Sequence, residues 1–249
     1  MTCNGAGMHT PSYVPVTADQ PARVYYTGRG SRKHYGPASS YALRALEFVD
    51  GQWRRPDAPL IEGFAPRQSV LEPLVVAEHG RYVMWFRANP HEIGPGELPD
   101  YELRVAESAD GITWSSPSVF ATPSEGFFDN AVIRIGDDWL MVLARGSNLH
   151  NTPDFPAQGL WLSRTQKLSA SRADWTEPVR VVDTELPGTA TWMGRGVYGT
   201  AILPIDGGEP VVFATGVRDA PRWPVFNVRR ILHGHKLVVP SPFTSRRAR

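Results

Sequence analysis

The feature of this sequence that most constrains its fold is a tryptophan that recurs at a fixed interval. Trp53, Trp114 and Trp175 are evenly spaced along the chain, and each follows a Gly- or Asp-containing segment typical of a turn. Self-similarity at a fixed period is typical of repeat architectures, in which one supersecondary unit is copied along the chain. We therefore expect the three tryptophans to occupy equivalent positions in successive units.

The segments between these tryptophans have the pattern of β-strands. They are short apolar or alternating runs separated by Gly, Pro, Asn and Asp, and none keeps a helical period over three turns. Upstream of each tryptophan an apolar or aromatic run ends in a basic residue, and a fourth such run follows without its tryptophan. The four runs are residues 24–29, 83–87, 141–145 and 211–218. The sequence therefore predicts an all-β chain with scarce helix.

Two acidic residues open further strands upstream of these runs. Glu72 precedes Phe86 by the same offset as Asp129 precedes Leu143, and that offset reaches Ser12 and Gly199 in the other two units. Each unit then has four antiparallel strands, which is the blade that β-propellers repeat around a central channel. The blades are predicted at residues 12–61, 72–121, 129–183 and 199–240, within a single domain spanning residues 1–249.

Composition and charge exclude several classes of protein. Lys+Arg 26 against Asp+Glu 25 leaves a formal net charge of +1, which excludes binding of nucleic acid through bulk charge. The single Cys3 forms no internal disulfide, and no apolar run approaches the roughly 18 residues of a membrane span. Residues 1–20 also lack the pattern of a secretory signal, so we expect a soluble, cytoplasmic protein.

Propeller geometry predicts where the chemically useful side chains meet. The start of a blade's first strand and the loop after its second strand lie at the same end of the channel. Glu72 and Asp129 are therefore expected to share one concave face with arginines that end the second strands and with two histidines in matching loops. These predicted binding residues are Arg29, Arg87, Arg145, His91 and His150. Trp192, in the loop that enters the last unit, is a candidate platform for stacking against a sugar.

Two carboxyls that face each other across a pocket suit glycoside chemistry. One protonates the leaving oxygen, while the other activates water or attacks the sugar carbon. A structural alternative is that Glu72 and Asp129 cap backbone N–H groups at strand starts. The arginines either bind an anion through their planar guanidinium groups or tie adjacent blades through backbone carbonyls. The histidines are acid–base groups, ligands of a sugar or metal, or solvated loop residues. No cofactor and no metal site is predicted.

The second unit resembles a known family. Its segments 72–76, 80–86 and 106–114 look like blades of the five-bladed propeller glycosidases, a group that includes arabinanases, β-xylosidases, invertases and levansucrases. Residues 108–114 are also similar to the Asp-box of sialidases, but are one residue shorter between the Asp and the Gly. The resemblance covers most of residues 12–183 and implies a fifth blade, which is diverged or missing in this chain.

The resemblance also implies three carboxyl groups. In the family, an Asp of the first blade is the base or nucleophile, a second Asp orients the substrate or tunes a pKa, and a later Glu is the general acid. Glu72, followed by Pro73, is similar to the setting of the acid, and Asp129 is similar to one of the Asp positions. Ser12 and Gly199 stand at the other two positions, so the set of three is incomplete.

Three functional hypotheses follow from these residues. The leading one is a carbohydrate-active enzyme that hydrolyses or transfers a small glycoside, with Glu72 as the acid and Asp129 as the base or nucleophile. The second is a non-hydrolytic biosynthetic enzyme, a lyase, isomerase or cyclase, on the same scaffold. The third is a propeller that binds a sugar or an anion without catalysis. All three predict a small-molecule partner rather than nucleic acid or a membrane.

Overall fold

The described part of the chain is built from β-strands. The computed structural model describes residues 7–17, 20–29, 41–56, 60–61, 69–89, 95–148, 150–186, 191–205 and 210–218. Over these ranges the chain forms 14 strands and two 3-10 helices, at Arg172–Asp174 and Thr191–Met193. The predicted all-β class with scarce helix is confirmed. The chain folds this way because its β-branched and aromatic runs favour strands and are repeatedly interrupted by turn residues.

The strands form four antiparallel sheets, each with its strands in chain order. The first sheet contains β1 (Gly7–Val14), β2 (Arg23–Arg29), β3 (Tyr41–Val49) and β4 (Gln52–Arg54). The second contains β5 (Ser69–Glu78), β6 (Arg81–Asn89), β7 (Glu102–Ser108) and β8 (Ser118–Ala121). The third contains β9 (Phe127–Ile135), β10 (Asp138–Arg145), β11 (Gly159–Thr165) and β12 (Val179–Asp183). Within the described residues the fourth contains β13 (Val197–Leu203) and β14 (Val211–Gly216).

Each sheet packs on the next through its first strand. β5 contacts β1, β9 contacts β5, and β13 contacts β9. An apolar cluster fills each of the three spaces between consecutive sheets. Because side chains alternate along a strand, β6 contributes to two clusters. Tyr82, Met84 and Phe86 pack toward the first sheet, whereas Val83 and Trp85 pack toward the third. We call the spaces between consecutive sheets the first, second and third seams.

Three of the four first strands share an irregularity at the same place. In β5, Glu72 and Pro73 together lie opposite one residue of β6, which is a β-bulge. The first strands of the first and fourth sheets have the same bulge, beginning at Thr10 and at Gly199. The three leading bulge residues have positive φ values, 50° for Thr10, 59° for Glu72 and 64° for Gly199. In β9 the extra residue stands immediately before Asp129.

Trp114 and Trp175 occupy matching positions. Each stands in the connection before the fourth strand of its sheet, and each packs edge-on against aromatic rings of the preceding sheet. Trp114 contacts Tyr25 across the first seam, with ring centroids 6.0 Å apart. Trp175 contacts Trp85 across the second seam, also at 6.0 Å, and is 4% exposed. The predicted equivalence therefore describes these two tryptophans correctly.

Trp53 differs from the other two. It lies on strand β4, packs against Phe48 of its own sheet at a centroid distance of 5.2 Å, and is 48% exposed. The turn before it is a tight two-residue hairpin in which Asp50 and Gly51 both have positive φ, the pattern of a type I′ turn. Trp53 therefore lies within the fourth strand, paired with Phe48 of β3, and not in the connection before that strand. The predicted equivalence is wrong for this residue.

Consecutive antiparallel sheets that contact one another through their first strands are consistent with the predicted β-propeller. The predicted fourth blade spans residues 199–240, and its part beyond residue 218 lies outside the described residues. The single domain over residues 1–249 stays a prediction.

Candidate active site

Glu72 lies at the bulge of the second sheet, in a backbone conformation that is unfavourable for a residue with a side chain. Left-handed backbone costs about 1–2 kcal/mol for such a residue. The backbone N–H of Glu72 donates to the hydroxyl of Thr27 across the first seam, at 2.8 Å. Bulges beside active sites redirect side chains, and backbone strain clusters at functional sites. The fold therefore tolerates strain at Glu72 while fixing the direction of a half-buried carboxyl.

Arg87, near the end of β6, pairs with Glu72 and is supported by an aromatic ring. Its Nη1 lies 3.6 Å from Oε2 of Glu72. The guanidinium lies over the ring of Tyr101, 5.7 Å from its centroid, which is within the range of a cation–π interaction. The hydroxyl of Tyr101 accepts the backbone N–H of Gly146 at 3.0 Å. Burial raises the pKa of Tyr101 to about 12, so this hydroxyl keeps its proton at neutral pH.

The carboxyl of Asp129 connects the third sheet to the fourth. Its Oδ2 accepts the backbone N–H of Thr200 at 3.0 Å, and the carboxyl also accepts the N–H of Gly199 at the bulge of β13. Burial, followed by the negative charge of Glu72, raises the pKa of Asp129 to about 7. The two N–H groups and the positive charge of Arg87 lower the pKa of Asp129, but by less. The carboxyl of Asp129 therefore keeps its proton to a higher pH than an ordinary aspartate does.

The two carboxyls have different surroundings. Glu72 has an arginine partner, whereas burial favours the protonated form of Asp129. Neighbouring titratable groups whose surroundings separate their affinities for protons are typical of acid–base sites. One carboxyl can then supply a proton while the other remains an anion, which is what general acid–base chemistry requires.

Arg145 and Arg29 end the second strands of their sheets, and their described contacts support those sheets. The guanidinium of Arg145 donates to the carbonyls of Glu125 at 2.7 Å and Ala157 at 3.3 Å. The guanidinium of Arg29 lies over the ring of Tyr41, 6.0 Å from its centroid. Arg145 thus binds backbone carbonyls, as the structural alternative expects, but they belong to the segment before β9 and to the loop between β10 and β11 of its own sheet; that the arginines tie adjacent blades stays a prediction. Substrate binding by Arg29 and Arg145 stays a prediction.

The remaining predicted binding residues lie in loops. His91 is outside the described residues. His150 is half-buried in the turn after β10. Trp192 is on the second 3-10 helix and 39% exposed, with its ring against Gly216 at the end of β14, where an added Cβ would lie 2.0 Å from a ring carbon. Binding of a sugar by His91, His150 or Trp192 stays a prediction.

Two residues of this region were not predicted from the sequence. Tyr101 stands in a polar loop and belongs to no repeated pattern, so nothing distinguishes it from an ordinary loop tyrosine. Thr10 had a signal, because Thr10-Pro11 has the same X-Pro form as Glu72-Pro73 and aligns the first unit two residues earlier than Ser12. Thr10 and Ser12 are both hydroxyl residues, so neither alignment supplies a carboxyl from the first sheet at this position.

The part of the chain that the structure describes contains neither a candidate metal cluster nor a candidate membrane helix. No three His, Cys, Asp or Glu side chains there are grouped so that they could hold a metal ion. No helix in the same ranges has the length and apolar character needed to cross a membrane.

The fold of the described sheets is similar to that of solved glycoside hydrolases and of a glycoside phosphorylase. An α-L-arabinofuranosidase from Lactobacillus brevis superposes with a TM-score of 0.60 and 10% sequence identity, covering 88% of this chain and 69% of that chain. An α-L-arabinanase from Penicillium chrysogenum, solved with arabinobiose, gives a TM-score of 0.57 at 14% identity, covering 87% and 61%. A β-1,2-mannobiose phosphorylase from Listeria innocua gives 0.57 at 10% identity, covering 86% and 69%.

These likenesses confirm, at the level of fold, the resemblance stated from the sequence. At 10–14% identity they show the fold alone. The chain spans less than two thirds of the length of the arabinanase. No protein-family profile matches the chain, and no curated protein matches it significantly in sequence.

Proposed function

We propose that the protein is a carbohydrate-active enzyme that hydrolyses or transfers a small glycoside, using Glu72 and Asp129. The observation that carries this proposal is the arrangement of two carboxyls at the strand bulges: Glu72 lies 3.6 Å from Arg87, and Asp129 is held by the backbone N–H of Thr200 at 3.0 Å, with a pKa that burial and the charge of Glu72 raise. General acid catalysis at neutral pH needs a group that still holds its proton there, and cleavage of a glycoside needs an anion beside it. The similarity in fold to glycosidases and to a phosphorylase supports the same class of substrate.

Within this proposal, Asp129 is the general acid and Glu72 is the base or nucleophile. This assignment reverses the one implied by the family resemblance, in which the Glu-Pro setting belongs to the acid. It is supported by burial of Asp129, which retains its proton, and by the ion pair of Glu72 with Arg87, which favours an anion. The four sheets are then successive blades of one closed propeller domain, in which the fifth blade of the family is diverged or missing.

Measuring rates with a series of leaving groups tests these roles. We expect a screen of chromogenic pentosides and hexosides, run with and without inorganic phosphate as acceptor, to identify a substrate. Asp129→Asn should then lower kcat by about 10²–10⁴-fold for poor leaving groups and much less for activated ones, because only poor leaving groups need a proton. Glu72→Gln should lower the rate for both kinds.

The matched control is Glu78→Gln, on the same strand as Glu72. Glu78 pairs with Arg134 at 2.9 Å, and the proposal gives it no role in catalysis. Equal and small effects of Glu72→Gln and Asp129→Asn would contradict the glycosidase proposal. Binding of a sugar without turnover, measured by calorimetry, would favour the non-catalytic hypothesis instead.

A further inference from the structure

Tyr101 joins the candidate pair to a loop of the third sheet. It directly precedes β7, is 3% exposed, and no repeated motif includes it. One face of its ring lies beneath the guanidinium of Arg87, and its hydroxyl accepts the backbone N–H of Gly146, in the loop after β10. The ring and the hydroxyl therefore make two separable contacts, one to a charged side chain and one to a backbone.

We propose that Tyr101 is a positioning residue whose ring holds Arg87 against Glu72. This inference rests on the proposed function, because it concerns the charge balance of the carboxyls used in that reaction. An arginine side chain is long and has many rotamers, so a guanidinium keeps one position only where its surroundings restrain it. A cation–π contact in a buried setting provides such a restraint.

The charges around Asp129 make this positioning measurable. Glu72 on β5 raises the pKa of Asp129, whereas Arg87 on β6 and the N–H groups of Gly199 and Thr200 on β13 lower it. The same charges affect the pKa of the Tyr101 hydroxyl, which Arg87 and Arg145 on β10 lower and Glu72 raises. If Tyr101 holds Arg87 in place, removing its ring moves a positive charge away from Asp129. The carboxyl of Asp129 must then titrate at a higher pH.

The experiment follows the titration of Asp129 in the whole chain without substrate. The protein is labelled with ¹³C at the aspartate carboxyls, and the signal of Asp129 is assigned by its loss in Asp129→Asn. Tyr101→Leu, which removes the ring, should raise the titration midpoint by about 0.5–1 pH unit, and Arg87→Gln should raise it similarly. Tyr101→Phe, which keeps the ring and loses only the hydroxyl, should leave the midpoint in place. The double variant Tyr101→Leu/Arg87→Gln should add nothing to either single change.

The outcomes separate this inference from the proposed function. An unchanged midpoint in a folded Tyr101→Leu protein, or an equal shift in Tyr101→Phe, overturns the positioning role even where glycosides are cleaved. The predicted shifts in a protein that cleaves no glycoside support the positioning role and count against the proposed function. Where Tyr101→Leu does not fold, Tyr101→Met, whose flexible unbranched side chain adapts to an irregular space without an aromatic face, must give the same upward shift.

Discussion

Two aspartates of this chain show how surroundings control a carboxyl. Burial raises the pKa of Asp129 to about 7, with a further contribution from the charge of Glu72. For Asp110, burial also acts to raise the pKa, but hydrogen bonds from the backbone N–H groups of Thr113 and Ile112 outweigh it and lower the pKa to about 2. The same residue type therefore serves as a proton-holding group in one place and as a fixed anion that closes a turn in another.

The raised pKa of Asp129 predicts a pH dependence of stability. A carboxyl that titrates higher in the folded protein than in the unfolded chain contributes stability at low pH, which is lost as the pH rises through about 7. We expect the free energy of unfolding, measured with urea, to contain a decrease of about 2–4 kcal/mol between pH 4 and pH 8 from this group. The decrease should be absent in Asp129→Asn. Asp110→Asn is the control. The lowered pKa of Asp110 makes the folded protein lose stability as the pH falls, and only below about pH 4. A parallel pH dependence in the wild type and in Asp129→Asn would contradict this expectation.

At the scale of the strand, the bulges connect backbone strain to the candidate site. Thr10 and Glu72 take a left-handed conformation that glycine adopts without cost, and Gly199 takes it in the fourth sheet. Such strain persists only where the surrounding sheet determines it. For Glu72 the surroundings include the hydrogen bond to Thr27 and the packing of β5 between the first and third sheets.

The strain at Glu72 predicts that glycine is preferred there on grounds of stability. Glu72→Gly and Glu72→Ala both remove the carboxyl and its ion pair, so their comparison isolates the backbone. We expect Glu72→Gly to be about 1 kcal/mol more stable than Glu72→Ala in urea unfolding, because only alanine retains the left-handed cost. Both variants should lose the proposed activity. The control is Ala77, which has no positive φ. There Ala77→Gly should be less stable than the wild-type protein, because glycine weakens an ordinary strand.

The same elements show which parts of the structure could be predicted from the sequence. Strands and turns depend on neighbouring residue types, so the all-β class and the sequence of four sheets were predictable. The bulges were not, because pairing across a sheet determines the register. The even spacing of the tryptophans placed Trp53 with the others, although the Asp50-Gly51 hairpin is shorter than the turn at Asp110. Tyr101 was not predictable because its partner Arg87 is distant along the chain, across a loop without a pattern.

At the scale of the whole molecule, stability depends on the seams between sheets. Each described sheet contacts the next through an apolar cluster, so the sheets form a series of nearest-neighbour interfaces. The first seam also contains a polar network, in which Arg23 donates to Tyr82 at 2.7 Å and pairs with Glu47 at 2.9 Å. A residue's contribution to stability should therefore depend on whether it lies in a seam.

The tryptophans provide a matched test of this dependence. Trp175→Ala should lower the free energy of unfolding by about 3–5 kcal/mol, because it empties part of the second seam and removes a hydrogen bond to the carbonyl of Ser169. Trp53→Ala should cost less than about 1 kcal/mol, because Trp53 is 48% exposed. Urea unfolding of both variants provides the comparison. Similar losses for the two would contradict the assignment of Trp175 to a seam and of Trp53 to the surface.

The shared bulge also bears on how such a chain can evolve. The three sheets hold Thr10, Glu72 and Gly199 in one backbone conformation, so the choice of functional group at this position is independent of the path of the chain. Some glycine codons differ from a glutamate codon by a single nucleotide. Selection can therefore add or remove an acidic group at this edge of the sheets in one mutational step, while the scaffold around it is inherited unchanged.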